Sequence, residues 1–113
     1  MRKMIVLVFI SIISFSGCDR FFGFHTVKYS VTGTAPAVTL IYQYGCRGKT
    51  QRSNVTLPWE VTFEGQSNDF VYISAVNLGD YGTITVNIYK NGKIFKTETV
   101  SGPYETVIAS GSL

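Results

Sequence analysis

The sequence predicts an all-β fold, an antiparallel immunoglobulin-like β-sandwich of about seven to eight strands. Three observations carry this expectation. From Val27 onward, apolar and polar residues alternate with a period of two in one run after another. Turn signals built on Gly, Asn, Asp and Pro separate those runs at short intervals. No stretch combines apolar residues at helical spacing with capping residues at its ends. The chain has 113 residues, enough for one domain, and is 45% apolar and 15% charged. That balance is too apolar for a disordered tail, which needs low hydrophobicity and high net charge.

The candidate strands follow in order. Val27, Tyr29 and Val31 alternate with Lys28, Ser30 and Thr32, and Gly33-Thr34-Ala35-Pro36 ends the run. In Ala37–Tyr44 one face carries Val38, Leu40, Tyr42 and Tyr44. The polar, basic stretch 45–54 (GCRGKTQRSN) is a loop or a ragged edge strand. Val55, Leu57, Trp59, Val61 and Phe63 alternate across Pro58, whose missing N–H places it at an edge or at a bend between sheets. Gly65–Asp69 is a turn, Phe70–Asn77 is a strand rich in β-branched and aromatic residues, and Leu78–Tyr81 turns again. Gly82–Lys90 and Lys93–Val100 flank Asn91-Gly92, a strong signal for a two-residue type I′ hairpin. An unbroken ladder from that turn sets Tyr89 opposite Ile94, Ile88 opposite Phe95, Val86 opposite Thr97 and Ile84 opposite Thr99. Ser101-Gly102-Pro103 turns into a last strand, Tyr104–Ser110.

The first residues have a different character. Arg2 and Lys3 precede an apolar run, Met4–Phe15, of 12 residues. A membrane-spanning helix needs about 20, so the run fits the core of a secretory leader. Ser16 and Gly17, both small, stand before Cys18, and the segment resembles the lipobox of bacterial lipoproteins. There a thiol is needed to form the thioether to diacylglycerol, and small residues let the peptidase approach the backbone. Phe15 departs from the usual aliphatic residue three places before the cysteine. An ordinary leader with cleavage elsewhere is the alternative. The expected organisation is a leader at 1–17, a lipidated N-terminus and tether at 18–25, and the sandwich at 26–113. Two or three acyl chains anchor a protein firmly, which a single chain does not. The expected location is therefore the bacterial cell envelope, outside the cytoplasm. Asp19 resembles the inner-membrane retention signal of enteric Gram-negative lipoproteins, and the choice between inner and outer membrane stays open.

Charge and composition exclude several functions. The net charge is +3, but without Arg2 and Lys3 eight basic residues face seven acidic ones. This gives no electrostatic footing for nucleic acid. One His and two Cys provide little for a metal site or a nucleophile–base pair. His25 has no neighbouring ligand pattern. Asp69 with Asp80, or Glu60 with Glu64, are carboxylates without a supporting His. The expectation is no catalysis, no cofactor, no metal and no small-molecule substrate. If Cys18 carries lipid, Cys46 lacks an intramolecular partner and is either shielded or bridged to another molecule.

For contacts, the sequence offers a basic cluster, Arg47, Lys49 and Arg52, on a loop beside Cys46. A second candidate is the apolar pair Tyr89 and Ile94 on the outer face of the hairpin. Lys90, Lys93 and Lys96 bracket the hairpin turn, where lysines guard an edge against pairing or face anionic headgroups. Trp59 reads as a core residue at a strand start more readily than as a ligand platform. Tyr104 reads as packing against the end of the sandwich.

Several segments taken together carry a family resemblance: Val27–Gly33, Val38–Tyr42, Val55-Thr-Leu-Pro-Trp59, Gly82–Val86, Asn91-Gly-Lys93 and Ser101-Gly-Pro-Tyr104. In this order and spacing they resemble the soluble domain of the mycobacterial membrane protein small (MmpS) family, from about Val27 to Ser110. The resemblance implies an extracytoplasmic β-sandwich acting beside an RND-type transporter that exports lipids or siderophores, without catalysis. The chain departs from the family pattern in two ways. It has a lipobox where mycobacterial members have a transmembrane helix, and it lacks the cysteine pair many carry in the C-terminal half. A ligand- or protein-binding envelope module unrelated to transport is the alternative reading.

Overall fold

The computed structural model describes residues 23–44 and 48–113. The leader, Cys18, Asp19, Cys46 and Arg47 lie outside the described residues. Among those described, eight strands form two four-stranded antiparallel sheets, the expected sandwich. The strands are β1 (Phe24–Gly33), β2 (Val38–Gln43), β3 (Lys49–Val55) and β4 (Trp59–Gln66), followed by β5 (Phe70–Asn77), β6 (Thr83–Lys90), β7 (Lys93–Ser101) and β8 (Thr106–Ser112). One sheet has the order β4-β1-β6-β7, the other β3-β2-β5-β8. Only β2–β3 and β6–β7 are hairpins within a sheet, so every other connection crosses from one layer to the other.

The alternation seen in the sequence sets the core. Val27, Tyr29 and Val31 of β1 and Ile84, Val86 and Ile88 of β6 point inward from the first sheet. They meet Val38 and Leu40 of β2, Val71, Ile73 and Ala75 of β5, and Val107 and Ala109 of β8. Nearly all of these side chains are fully excluded from solvent, which is where most of the folding free energy of such a layer pair resides. On the side of the sandwich near β4, aromatic rings fill the core. Trp59 lies 5.2 Å from Tyr42 and Tyr29 lies 5.1 Å from Phe63, measured between ring centroids. Tyr44 closes the row at 4.9 Å from Phe63. Trp59 is thus a core residue, half-buried at the start of β4.

Four details refine the sequence-based expectation. β1 begins at Phe24, so residues assigned to the tether are already paired, with Phe24 opposite Gln66 and His25 opposite Gly65. The stretch after Gly48 is an edge strand, the second of the two forms the sequence left open, with Lys49–Asn54 exposed and a register shift between the pairs Leu40–Arg52 and Val38–Val55. Val55 and Trp59 do not share a strand: the chain changes sheets between them through a cis Leu57-Pro58 bond, the bend between sheets that Pro58 allowed. The β6–β7 register is the fourth. Tyr89 faces Ile94 as expected, but a one-residue bulge at Phe95 then sets Ile88 opposite Lys96, Val86 opposite Glu98 and Ile84 opposite Val100. The bulge turns Val100 toward the core and sends Thr97 and Thr99 outward, where the hydroxyls of Thr99 and Thr85 bond at 2.9 Å.

Candidate functional site

The strand directions gather the loops at two ends. At the end where β1 begins lie the β6–β7 tip (Asn91-Gly92), the β4–β5 turn (Ser67–Asp69) and Leu113. At the opposite end lie the β1–β2, β5–β6 and β7–β8 connections. An asparagine organises each end.

At the first end, Asn91 and Gly92 both have positive φ, 53° and 84°, as the type I′ turn requires. Asn91 also ties this tip to the first strand. Its backbone N–H donates to the Thr26 carbonyl at 2.8 Å, and its side-chain oxygen accepts the Thr26 N–H at 2.9 Å. Its amide nitrogen lies 3.0 Å from His25 Nδ1, and His25 Nε2 lies 3.1 Å from Ser67 Oγ. An amide N–H donated to Nδ1 leaves the imidazole proton on Nε2, directed at the Ser67 hydroxyl. His25 is therefore a bracing residue with both ring nitrogens engaged. Asp69 is buried in the adjacent turn and accepts the Gln66 N–H at 2.8 Å.

This end is cationic and rimmed by apolar side chains. Lys90 and Lys93 flank the tip, and Lys96 stands behind them on β7. The Lys90 and Lys96 ammonium groups lie 5.7 and 5.4 Å from the centre of the Phe95 ring. None of the three pairs with a described carboxylate. Beside them Phe24, Phe70 and Ile94 are 63%, 49% and 53% exposed. A groove of about 330 Å³ runs along the tip between Lys90, Asn91, Lys93, Ile94 and Phe95.

The opposite end has the other sign. Asn77 is buried to 1% exposure, and all its side-chain bonds go to backbone. Its amide donates to the carbonyls of Tyr81 (2.8 Å) and Gly102 (3.0 Å), and its oxygen accepts the Gly79 N–H (2.8 Å). These bonds hold two loops together and present Leu78, Tyr81 and Tyr104, which are 43%, 60% and 66% exposed, beside Asp80 and Glu105. Tyr104 thus does not pack on the sandwich end as its sequence context implied. It stands out from the turn with φ at 59°.

Of the basic cluster expected around the β2–β3 connection, two residues are described. Lys49 and Arg52 are three residues apart on a straight stretch of β3 and therefore point to opposite faces. The Lys49 ammonium sits 4.7 Å over the Tyr72 ring, while Arg52 is opposite Leu40 and exposed. Arg47 lies outside the described residues. The Tyr89 and Ile94 pair does form, and the Lys28 ammonium covers the Tyr89 ring at 4.7 Å while bonding Glu60 at 3.6 Å. That leaves Ile94 as the exposed half of the pair. Asp69 and Asp80 sit at opposite ends and make no carboxylate pair. Among the described residues no group of three His, Cys, Asp or Glu side chains can hold a metal ion. Phe24 lies in the run 19–25 (DRFFGFH), which as a sequence reads as a tether or as aromatics at a membrane interface. Nothing in the sequence around Phe70 marks it as a contact residue, because only the strand directions bring it to the end that carries the hairpin lysines.

No protein-family model matches the chain, and no curated protein matches it. The resemblance to the MmpS family rests on the segments quoted above.

Proposed function

We propose that the chain is a non-enzymatic envelope lipoprotein. Cys18 carries the acyl chains, and the sandwich serves as an accessory domain beside an RND-type transporter. The observation that supports this reading most is the position of β1. A rigid strand starts at Phe24, after only five intervening residues, 19–23, so an anchor at Cys18 holds a folded body close to the bilayer. The sandwich architecture agrees with the fold that the family resemblance implies. The exposed Leu78, Tyr81 and Tyr104 at the opposite end favour a second reading, a binding module for another envelope component without any transporter.

Metabolic labelling with palmitate tests the anchor. Label should enter the wild-type protein and be lost in Cys18→Ala. Label that persists in the variant, or an unacylated mature protein beginning elsewhere, overturns it. Cross-linking in intact envelopes followed by affinity purification tests the role. Recovery of an RND-type transporter supports the first reading, and recovery of soluble partners alone supports the second.

A further inference from the structure

We infer that the hairpin end of the sandwich docks directly on anionic lipid headgroups, so that the body stands on the membrane with its strands pointing away from it. The inference rests on the proposed anchor at Cys18 and adds an orientation that the anchor alone does not fix.

Reach comes first. Six peptide steps separate Cys18 from Phe24 and span at most about 20 Å when fully extended. The end where β1 begins is therefore held within that distance of the headgroups. The opposite end, one strand length further on, is not. Charge comes second. Lys90, Lys93 and Lys96 cluster on this side without a described carboxylate partner and outnumber its carboxylates, the exposed Glu64 and the buried Asp69, whereas Asp80 and Glu105 lie at the other end. An anionic surface attracts the first end and repels the second, and the attraction acts only within a Debye length of about 8 Å. Apolar surface comes third. Phe24, Phe70 and Ile94 are exposed around the same end, a mixture of lysine and large apolar side chains that suits the boundary between headgroups and acyl chains. Asn91 makes the platform rigid by locking the hairpin tip to β1.

The test places a tryptophan at each end of the purified, lipidated protein in a Trp59→Phe background. Ile94→Trp reports the hairpin end and Tyr104→Trp the opposite end, and both sites are exposed. The proteins are reconstituted into phosphatidylglycerol or phosphatidylcholine vesicles containing lipids brominated near the headgroup end of the chain. The expected result is strong quenching of Ile94→Trp in phosphatidylglycerol, at least twofold weaker quenching in phosphatidylcholine, and none of Tyr104→Trp. Each lysine contributes roughly a fivefold change in partition. Adding Lys90→Gln, Lys93→Gln and Lys96→Gln should therefore reduce the phosphatidylglycerol signal to the phosphatidylcholine level, with an unchanged far-UV spectrum. Equal quenching at both sites, no quenching at either, or insensitivity to lipid charge overturns the inference.

Mass spectrometry of the N-terminal peptide separates this result from the anchor. If Cys18 is unacylated, the anchor reading falls, and quenching of the same proteins mixed with preformed phosphatidylglycerol vesicles still decides the docking. If Tyr104→Trp alone is quenched, the body is inverted and the inference is wrong.

Discussion

The phenol of Tyr29 reaches across the core from β1 and joins the edges of two strands in the other sheet. Its hydroxyl donates to the Gln43 carbonyl at 2.6 Å and accepts the Tyr72 N–H at 3.1 Å. The β2–β5 ladder stops at the pair Tyr42 and Ile73, so the hydroxyl stands where the next rung of that ladder would lie. Tyr29→Phe leaves a donor and an acceptor without this partner and should cost about 1–3 kcal/mol, read as a lower urea midpoint. Burial also pushes the phenol's pKa far above its usual value. An unfolded tyrosine ionises near pH 10. Below that pH the buried, neutral phenol's contribution is complete, and it is lost as pH rises through the folded value. Stability should therefore fall above about pH 10, and it should fall less steeply in Tyr29→Phe. Asn77 offers a second test at this scale, because its three bonds all go to backbone groups. Asn77→Ala should destabilise by about 2–4 kcal/mol by leaving two carbonyls and one N–H unpaired, and Asn77→Asp should not rescue it, since a carboxylate cannot donate to the two carbonyls.

At the scale of the elements, the two-residue period, the Asn-Gly turn and the break at Pro58 were all legible, because each is a local property of the chain. The inward set Ile84, Val86 and Ile88 follows from alternation alone. The partner register did not follow, because a bulge is decided by what the far strand must cover. The extra residue at Phe95 lays its ring against β8, where a Cβ on Gly111 would come within 3.0 Å of it. Phe95→Ala should cost about 2 kcal/mol, measured by thermal melting, for a half-buried ring. The β1–β2 corner makes a stricter demand. Gly33 has φ at 139°, and a Cβ there would run into the Thr83 carbonyl. Gly33→Ala should destabilise by 2 kcal/mol or more, roughly the cost of one strained residue, with a correspondingly lower urea midpoint. Lys96 and Glu98 sit on the core side of an edge strand, a common protection against pairing with another sheet. Replacing both with Val should produce higher oligomers in sedimentation velocity.

For the molecule as a whole, which side chains gather at which end was the part the sequence hid. Lysines around a turn and a phenylalanine in a tether are visible one at a time. Their collection at one end depends on strand directions that no local pattern encodes, and the separation of Lys49 from Arg52 depends on a strand where a loop was the equal expectation. The two ends also predict a division of labour. Tyr81→Ala with Tyr104→Ala should leave the far-UV spectrum and membrane fractionation unchanged while removing cross-links to any envelope partner.

The bare strand β3 has one more consequence. All six residues from Lys49 to Asn54 are open to water, and β3 pairs with β2 along one edge only. Its amides are therefore held by a single ladder and no apolar lid, which places them at the low end of local opening free energies. Deuterium should enter this hairpin arm long before it enters β1, β2 or β6, and a protease that nicks the native protein should cut here first, releasing no core.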